Sequence, residues 1–193
     1  MGCLPAVKGL VLGTVKGLAP RAPASMGAAI SVLRSLRLTE QLATLPGFWQ
    51  GLAQLTNLTQ LELELQGAGQ WPRAEQDSGL LAVQALSGLR CLRLGNMEPA
   101  QGVQLLPALT GLECLQLRGP RRWGANWALL LPAVCGLTWL TRLQLDDLEG
   151  LCQEQDLSIL PTSLVELELP EHALPTGWGE LPQLRHLRAT GNM

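Results

Sequence analysis

Tyrosine is absent from this 193-residue chain, phenylalanine occurs once, at Phe48, and lysine only at Lys8 and Lys16. That depletion of residues with AT-rich codons is what a GC-rich coding sequence produces, so the aromatic balance says little about function. Charged residues make up 16% and the net charge is -2, which gives no basic field for a nucleic acid and no acidic tail. No apolar run is long enough to span a membrane. The five cysteines, Cys3, Cys91, Cys114, Cys135 and Cys152, are odd in number and lack a CxxC spacing. This argues against a disulfide framework and a zinc site, and makes a reducing compartment the default. Histidine stands only at His172 and His186, with no serine or cysteine motif beside either, no glycine-rich phosphate loop and no metal spacing. Asp146 and Asp147 read as solvated residues closing a strand. The expectation is a protein without catalytic residues, metal or cofactor.

The first acidic residue is Glu40. An acid-poor start fits an organelle transit segment, but the leucine pattern described below already runs through it. Lys8 and Lys16 interrupt the apolar opening, and no charged n-region precedes it, so it makes a poor signal peptide. Gly2 and Cys3 invite acylation, yet Ala6 stands where the myristoylation pattern wants Ser or Thr.

What the chain has is leucine, nearly a quarter of all residues, within a hydrophobic content of 47%. This is enough for a sizeable core and one domain over residues 1–193. The leucines are phased. LRSLRL from Leu33 recurs as LTQLEL from Leu58, LRCLRL from Leu89, LECLQL from Leu112, LTRLQL from Leu140, LVELEL from Leu164 and LRHLRA from Leu184. The steps are 25, 31, 23, 28, 24 and 20 residues, and a degenerate copy, VKGLVL from Val7, lies 26 residues upstream of the first. Three positions ahead of the seven phrases stand Ile30, Leu55, Leu86, Leu109, Leu137, Pro161 and Leu181. The LxL part alternates with period two, as a short strand with one buried face must. A single such unit cannot bury its apolar face alone, so neighbours have to stack.

Between the phrases run apolar returns expected to hold a helical turn or two. Asp77 or Ser78, and Asn126, are placed as caps, and Pro99 suits a first helical position. Pro107 and Pro132 are expected to cut these helices short. The last return, LPTGWGELPQ from Leu174, is expected to be extended.

The phrase resembles the opening LxxLxLxxN of the leucine-rich-repeat family, and the resemblance covers nearly the whole chain; the LPxx...LPxL wording resembles the short-repeat intracellular class. It implies an α/β fold: a right-handed solenoid with parallel strands on the concave face and short helical or extended returns on the convex face. Seven clear repeats from Leu33 would follow the degenerate one near Val7. The asparagine position departs from the family, with Gln41, Gln66, Met97, Pro120, Leu148, His172 and Asn192, of which only the last matches. Irregular turns are expected there. Terminal caps are not evident, so the reading is of a fragment, or of a chain whose exposed ends pair with another.

In this architecture the residues between the buried leucines face outward. The middle position of each LxL gives Arg37, Glu62, Arg93, Gln116, Gln144, Glu168 and Arg188. Arg37, Glu62 and Arg93 can pair laterally, as can Glu168 and Arg188, which leaves open a self-neutralising ladder or a docking surface. Glu64, Arg118 and Arg142 extend the same wall. Its area is about 400 Å² by strand spacing, against roughly 800 Å² per partner in a standard interface. Loops are therefore enlisted: one with Trp71 and Arg73, another with Arg121, Arg122, Trp123 and Trp127. These tryptophans could instead roof the solenoid edge. For Trp49, Trp139 and Trp178, which lie within the repeat, packing is expected. Cys91 and Cys114 share one outward position in consecutive strands, which allows either two idle thiols or a bridge under oxidation.

The resemblance implies a non-catalytic protein-interaction module or scaffold, or the recognition part of a larger signalling, immune-receptor or ubiquitin-ligase protein; a passive spacer is the third reading. The implied partner is another protein. The implied location is cytoplasmic, with the ciliary axoneme or an organelle as alternatives.

Overall fold

The computed structural model describes residues 9–12, 33–39, 48–64, 73–95, 103–118, 127–146, 157–170 and 178–190. Eight strands form one sheet: β1 (Gly9–Leu12), β2 (Ser35–Thr39), β3 (Gln60–Glu64), β4 (Cys91–Gly95), β5 (Cys114–Arg118), β6 (Arg142–Asp146), β7 (Glu166–Pro170) and β8 (His186–Thr190). They are adjacent in chain order, and every pairing is parallel. The register never slips: Leu36, Leu61, Leu92, Leu115, Leu143, Leu167 and Leu187 are successive partners. The copy near Val7 keeps the phase, with Leu10 opposite Leu36 and Leu12 opposite Leu38.

Each strand is short because only the LxL segment alternates. The two leucines of the pair point inward and are buried from Leu36 and Leu38 through Leu167 and Leu169. The opening leucines Leu58, Leu89, Leu112, Leu140 and Leu164 are buried with them. Among the described residues no polar or charged side chain is buried, so a single apolar layer holds the sheet. The last repeat is looser: Leu184 and Leu187 are half-buried and Ala189 is exposed.

A backbone turn ahead of each strand fixes its entry. The N–H of the opening leucine donates to the carbonyl three residues earlier: Leu58 to Leu55, Leu89 to Leu86, Leu112 to Leu109, Leu140 to Leu137, Leu164 to Pro161 and Leu184 to Leu181. The repeating apolar position ahead of each phrase is thus both a core residue and the acceptor of a turn. One carbonyl per repeat then clamps the next. The Arg34 carbonyl accepts from the N–H groups of Thr59 and Gln60 at 2.9 and 3.0 Å. Thr59, Arg90, Glu113, Thr141 and Val165 repeat the arrangement toward the following strand. Side chains reinforce it, with Thr59 Oγ1 and Thr141 Oγ1 donating to the carbonyls of Arg34 and Glu113, each at 3.0 Å.

The returns are mostly short helices: α1 (Phe48–Ala53), α2 (Arg73–Gln84), α3 (Trp127–Cys135) and 3-10 turns at Leu106–Ala108, Leu157–Ile159 and Trp178–Glu180. Helix α1 packs on α2. Among the described residues no helix is long and apolar enough to cross a membrane.

Several local expectations are corrected. Asp77 and Ser78 do not cap a helix but lie inside α2. Their propensity cost, about 0.7 kcal/mol at most per residue, is outweighed by burial of Ala82 and Val83 farther along the same helix. Helix α3 is short as expected, nine residues ending just before Gly136, but Pro132 lies inside it as its sixth residue, exposed between buried Leu131 and Ala133. It forgoes one bond to the Ala128 carbonyl, while Leu130, Leu131 and Val134 hold the helix to the core. The last return contains the 3-10 turn Trp178–Glu180, not an extended segment throughout. Trp49 is buried as expected, but Trp139 is 64% exposed, because it occupies the turn before β6 and not the core-facing register. Pro99, Asn126 and the positions from Gln41 to Asn192 that answer to the family asparagine lie outside the described residues, as does residue 30.

Candidate functional site

Burying the paired leucines turns the alternate positions of every strand to the opposite face. Because the strands are in register, those residues form three rows across the sheet. The middle row is Arg37, Glu62, Arg93, Gln116, Gln144, Glu168 and Arg188, each the direct partner of the next. One row begins each strand, with Gln60, Cys91, Cys114, Arg142, Glu166 and His186, and one ends it, with Glu64, Gly95, Arg118 and Asp146.

Lateral ion pairing is present where charges alternate. Arg37 Nε lies 3.1 Å from Glu62 Oε1, and Arg93 Nη1 lies 3.8 Å from Glu62 Oε2. Glu62, 20% exposed, is held between two guanidiniums, and Arg37 also reaches Glu64 at 3.8 Å. Arg188 meets Glu168 at 3.3 Å. Each exposed pair contributes about 0–1 kcal/mol, so these contacts order the face more than they stabilise the fold.

The strand-opening row adds a pair that sequence reasoning missed. Arg142 Nε donates to Glu166 Oε2, which holds the Glu166 carboxyl below its ordinary range and raises the Arg142 guanidinium. The signal was there, since Arg142 and Glu166 occupy one phrase position in consecutive repeats. Asp146 closes β6 as expected, but it is half-buried and bonded where a solvated residue was expected. Its carboxylate accepts from Gln116 Nε2 at 3.0 Å and from Gln144 Nε2 at 3.1 Å. Arg34 and Arg90 serve the scaffold: they donate to the carbonyls of Asn57 and Gly111, and Arg90 also pairs with Glu113 at 3.2 Å.

Arg37, Glu62, Glu64, Arg93, Gln116 and Arg118 surround a depression of about 180 Å³. Gly95 forms part of its lining, having no side chain in the row between Glu64 and Arg118. Three arginines against two glutamates make its rim formally positive by one. No family model matches the chain, and no curated protein matches it significantly.

The two half-buried thiols Cys91 and Cys114 are register partners. The Cys114 hydrogen bond, aided by Arg93 and Arg142, pulls the Cys91 thiol down to about 6 against the opposing effect of burial. Cys114 is pushed up, first because it donates that bond, then by burial and the neighbouring thiolate. Cys135, on α3, is raised by burial. Among the described residues no group of three or more His, Cys, Asp and Glu could hold a metal ion.

The site residues expected from sequence therefore divide. Arg37, Glu62, Glu64, Arg93, Gln116 and Arg118 gather at the depression, while Arg142, Gln144, Glu168 and Arg188 continue the same face toward β8. Trp71, Arg121, Arg122 and Trp123 lie outside the described residues; Arg73 and Trp127 open α2 and α3, and their side chains are not described.

Proposed function

We propose that the chain is a leucine-rich-repeat solenoid of the right-handed β/α type and acts as a non-catalytic protein-interaction module. The partner docks on the solvent-facing side of the sheet, the concave wall of such a coil. The observation that carries this reading is the depression between β2 and β5, where seven-fold repetition of one phrase brings polar side chains from four strands to one place. A glycine, Gly95, forms part of its lining. Its formal excess of one positive charge suits a partner presenting an acidic side chain beside polar backbone. Electrostatic complementarity of this size sets orientation and association rate more than affinity. The remaining contact area comes from the rest of the wall and from flanking loops.

Affinity capture with cross-linking on the whole chain tests the reading, using three variants. Gly95→Phe fills the depression, Arg93→Glu reverses one rim charge, and Leu81→Ser changes an exposed position on α2, 65% accessible, away from the sheet. A Cβ at Gly95 meets only ordinary contacts, 3.6 Å or more from Glu64, so the backbone there accepts a side chain. Loss of a captured protein in the first two variants and its retention in the third supports the reading. The reverse pattern assigns recognition to the helical side and overturns it.

A further inference from the structure

We propose that Cys91 and Cys114 form an oxidisable dithiol, a modification site at which a hydroperoxide converts the two thiols into a disulfide joining β4 to β5. The inference does not depend on the partner-binding reading. It starts from register: the two residues are direct partners in a parallel pair. Neighbouring strands lie about 4.8 Å apart, within the roughly 4.4–6.8 Å between Cα atoms that a disulfide spans. The side chains leave the sheet on the same side, and both are half-buried.

The surroundings give the two sulfurs different tasks. Cys91 faces Gln60 on β3 and Cys114 on β5, with Arg93 on its own strand and Arg142 beyond on β6. Glu62, the nearest carboxylate in the middle row, is engaged by Arg37 and Arg93. Arg93 and Arg142 favour the thiolate form of Cys91, and thiolate is the reactive form. Bonding to Cys91, and then burial, push the Cys114 thiol up.

The chemistry closes in two steps. The Cys91 thiolate attacks one oxygen of hydrogen peroxide; the O–O bond breaks, Cys91 becomes a sulfenic acid, and the departing hydroxide takes a proton from solvent to form water. Oxidation removes the charge and the acceptor that held the Cys114 proton, while Arg93 and Arg142 continue to favour a thiolate there. Cys114 then loses its proton, and its sulfur attacks the Cys91 sulfur. The S–S bond forms as the S–O bond breaks, and the released hydroxide accepts that proton. Two thiols and one peroxide give one disulfide and two waters, the sulfurs losing two electrons and the peroxide gaining them.

The test is peptide mapping of the intact chain after brief treatment with hydrogen peroxide and alkylation of remaining thiols. Trypsin cuts after Arg90, Arg93 and Arg118, placing Cys91 in a tripeptide and Cys114 in the peptide 94–118. The expected product is these two peptides joined within a monomer, lighter than their sum by two hydrogens. In Cys114→Ser a sulfenic acid should accumulate at Cys91 and be trapped by dimedone. In Cys91→Ser, oxidation of Cys114 should slow by about tenfold or more, following the loss of the low-pKa thiolate. Absence of the joined peptide from the parent chain, or its presence only in covalent dimers, overturns the proposal. Equal peroxide consumption by parent and Cys91→Ser overturns the assignment of Cys91 as the attacking sulfur.

Discussion

Gln116 and Asp146 are diagonal neighbours across β5 and β6, and the Gln116 amide donates to the Asp146 carboxylate at 3.0 Å. Gln144 donates to the same oxygen from two residues away, so one carboxylate organises two amides on a half-buried patch. Asp146→Ala should cost about 1–2 kcal/mol by stranding both amides. Asp146→Asn, which keeps an acceptor oxygen, should cost less. Urea denaturation of the three proteins checks the order, and equal midpoints would remove the structural role assigned here.

The core should be uneven along the sheet. Leu143 is fully buried between two repeats, so Leu143→Ala is expected to cost about 2–5 kcal/mol. Leu187, the same phrase position on β8, is half-buried, and Leu187→Ala should cost clearly less. Denaturation midpoints that fell equally would contradict the looser packing of the last repeat.

Two glycines should respond with opposite signs. Gly51 lies within α1 with nothing near the position of a Cβ, so Gly51→Ala should stabilise by about 0.4–1 kcal/mol through helix propensity and a less free unfolded chain. At Gly88 a Cβ would sit 3.2 Å from the Thr56 carbonyl oxygen, which belongs to the backbone of the preceding repeat. Gly88→Ala should lower the melting temperature while Gly51→Ala raises it.

Acid should expose the Arg142–Glu166 pair. Bonding to Arg142 depresses the folded-state pKa of Glu166 below its ordinary 4.5. Its contribution is therefore present above pH 4.5 and is lost as pH falls through the depressed value. A thermal melt series from neutral to acid pH should show a smaller acid-side loss in Glu166→Gln than in the parent. An identical slope would show that the pair contributes no linkage.

Much of the strand arrangement could be read from leucine spacing. Leu36, Leu61, Leu92 and their equivalents are phased by period two locally and by 20 to 31 residues at longer range, and both regularities reflect demand for one dry layer. The same phasing places Arg37, Glu62 and Arg93 in one row. Position within the phrase, however, does not say how a polar side chain will bond. Asp146 looked solvated because its acceptor role depends on amides from its own strand and a strand 30 residues earlier. Trp139 looked like a core residue because its exposure is set by the direction of a turn.

By itself, then, the sequence determined which residues are apolar, how often they recur and which strand positions answer to one another, because burial acts on composition and period. Tertiary structure decided which outward groups touch: the sharing of Glu62 by two arginines and the gathering of amides at Asp146. Those outcomes depend on lateral distance and side-chain direction across strands that are far apart in the chain. Periodicity alone carries neither quantity.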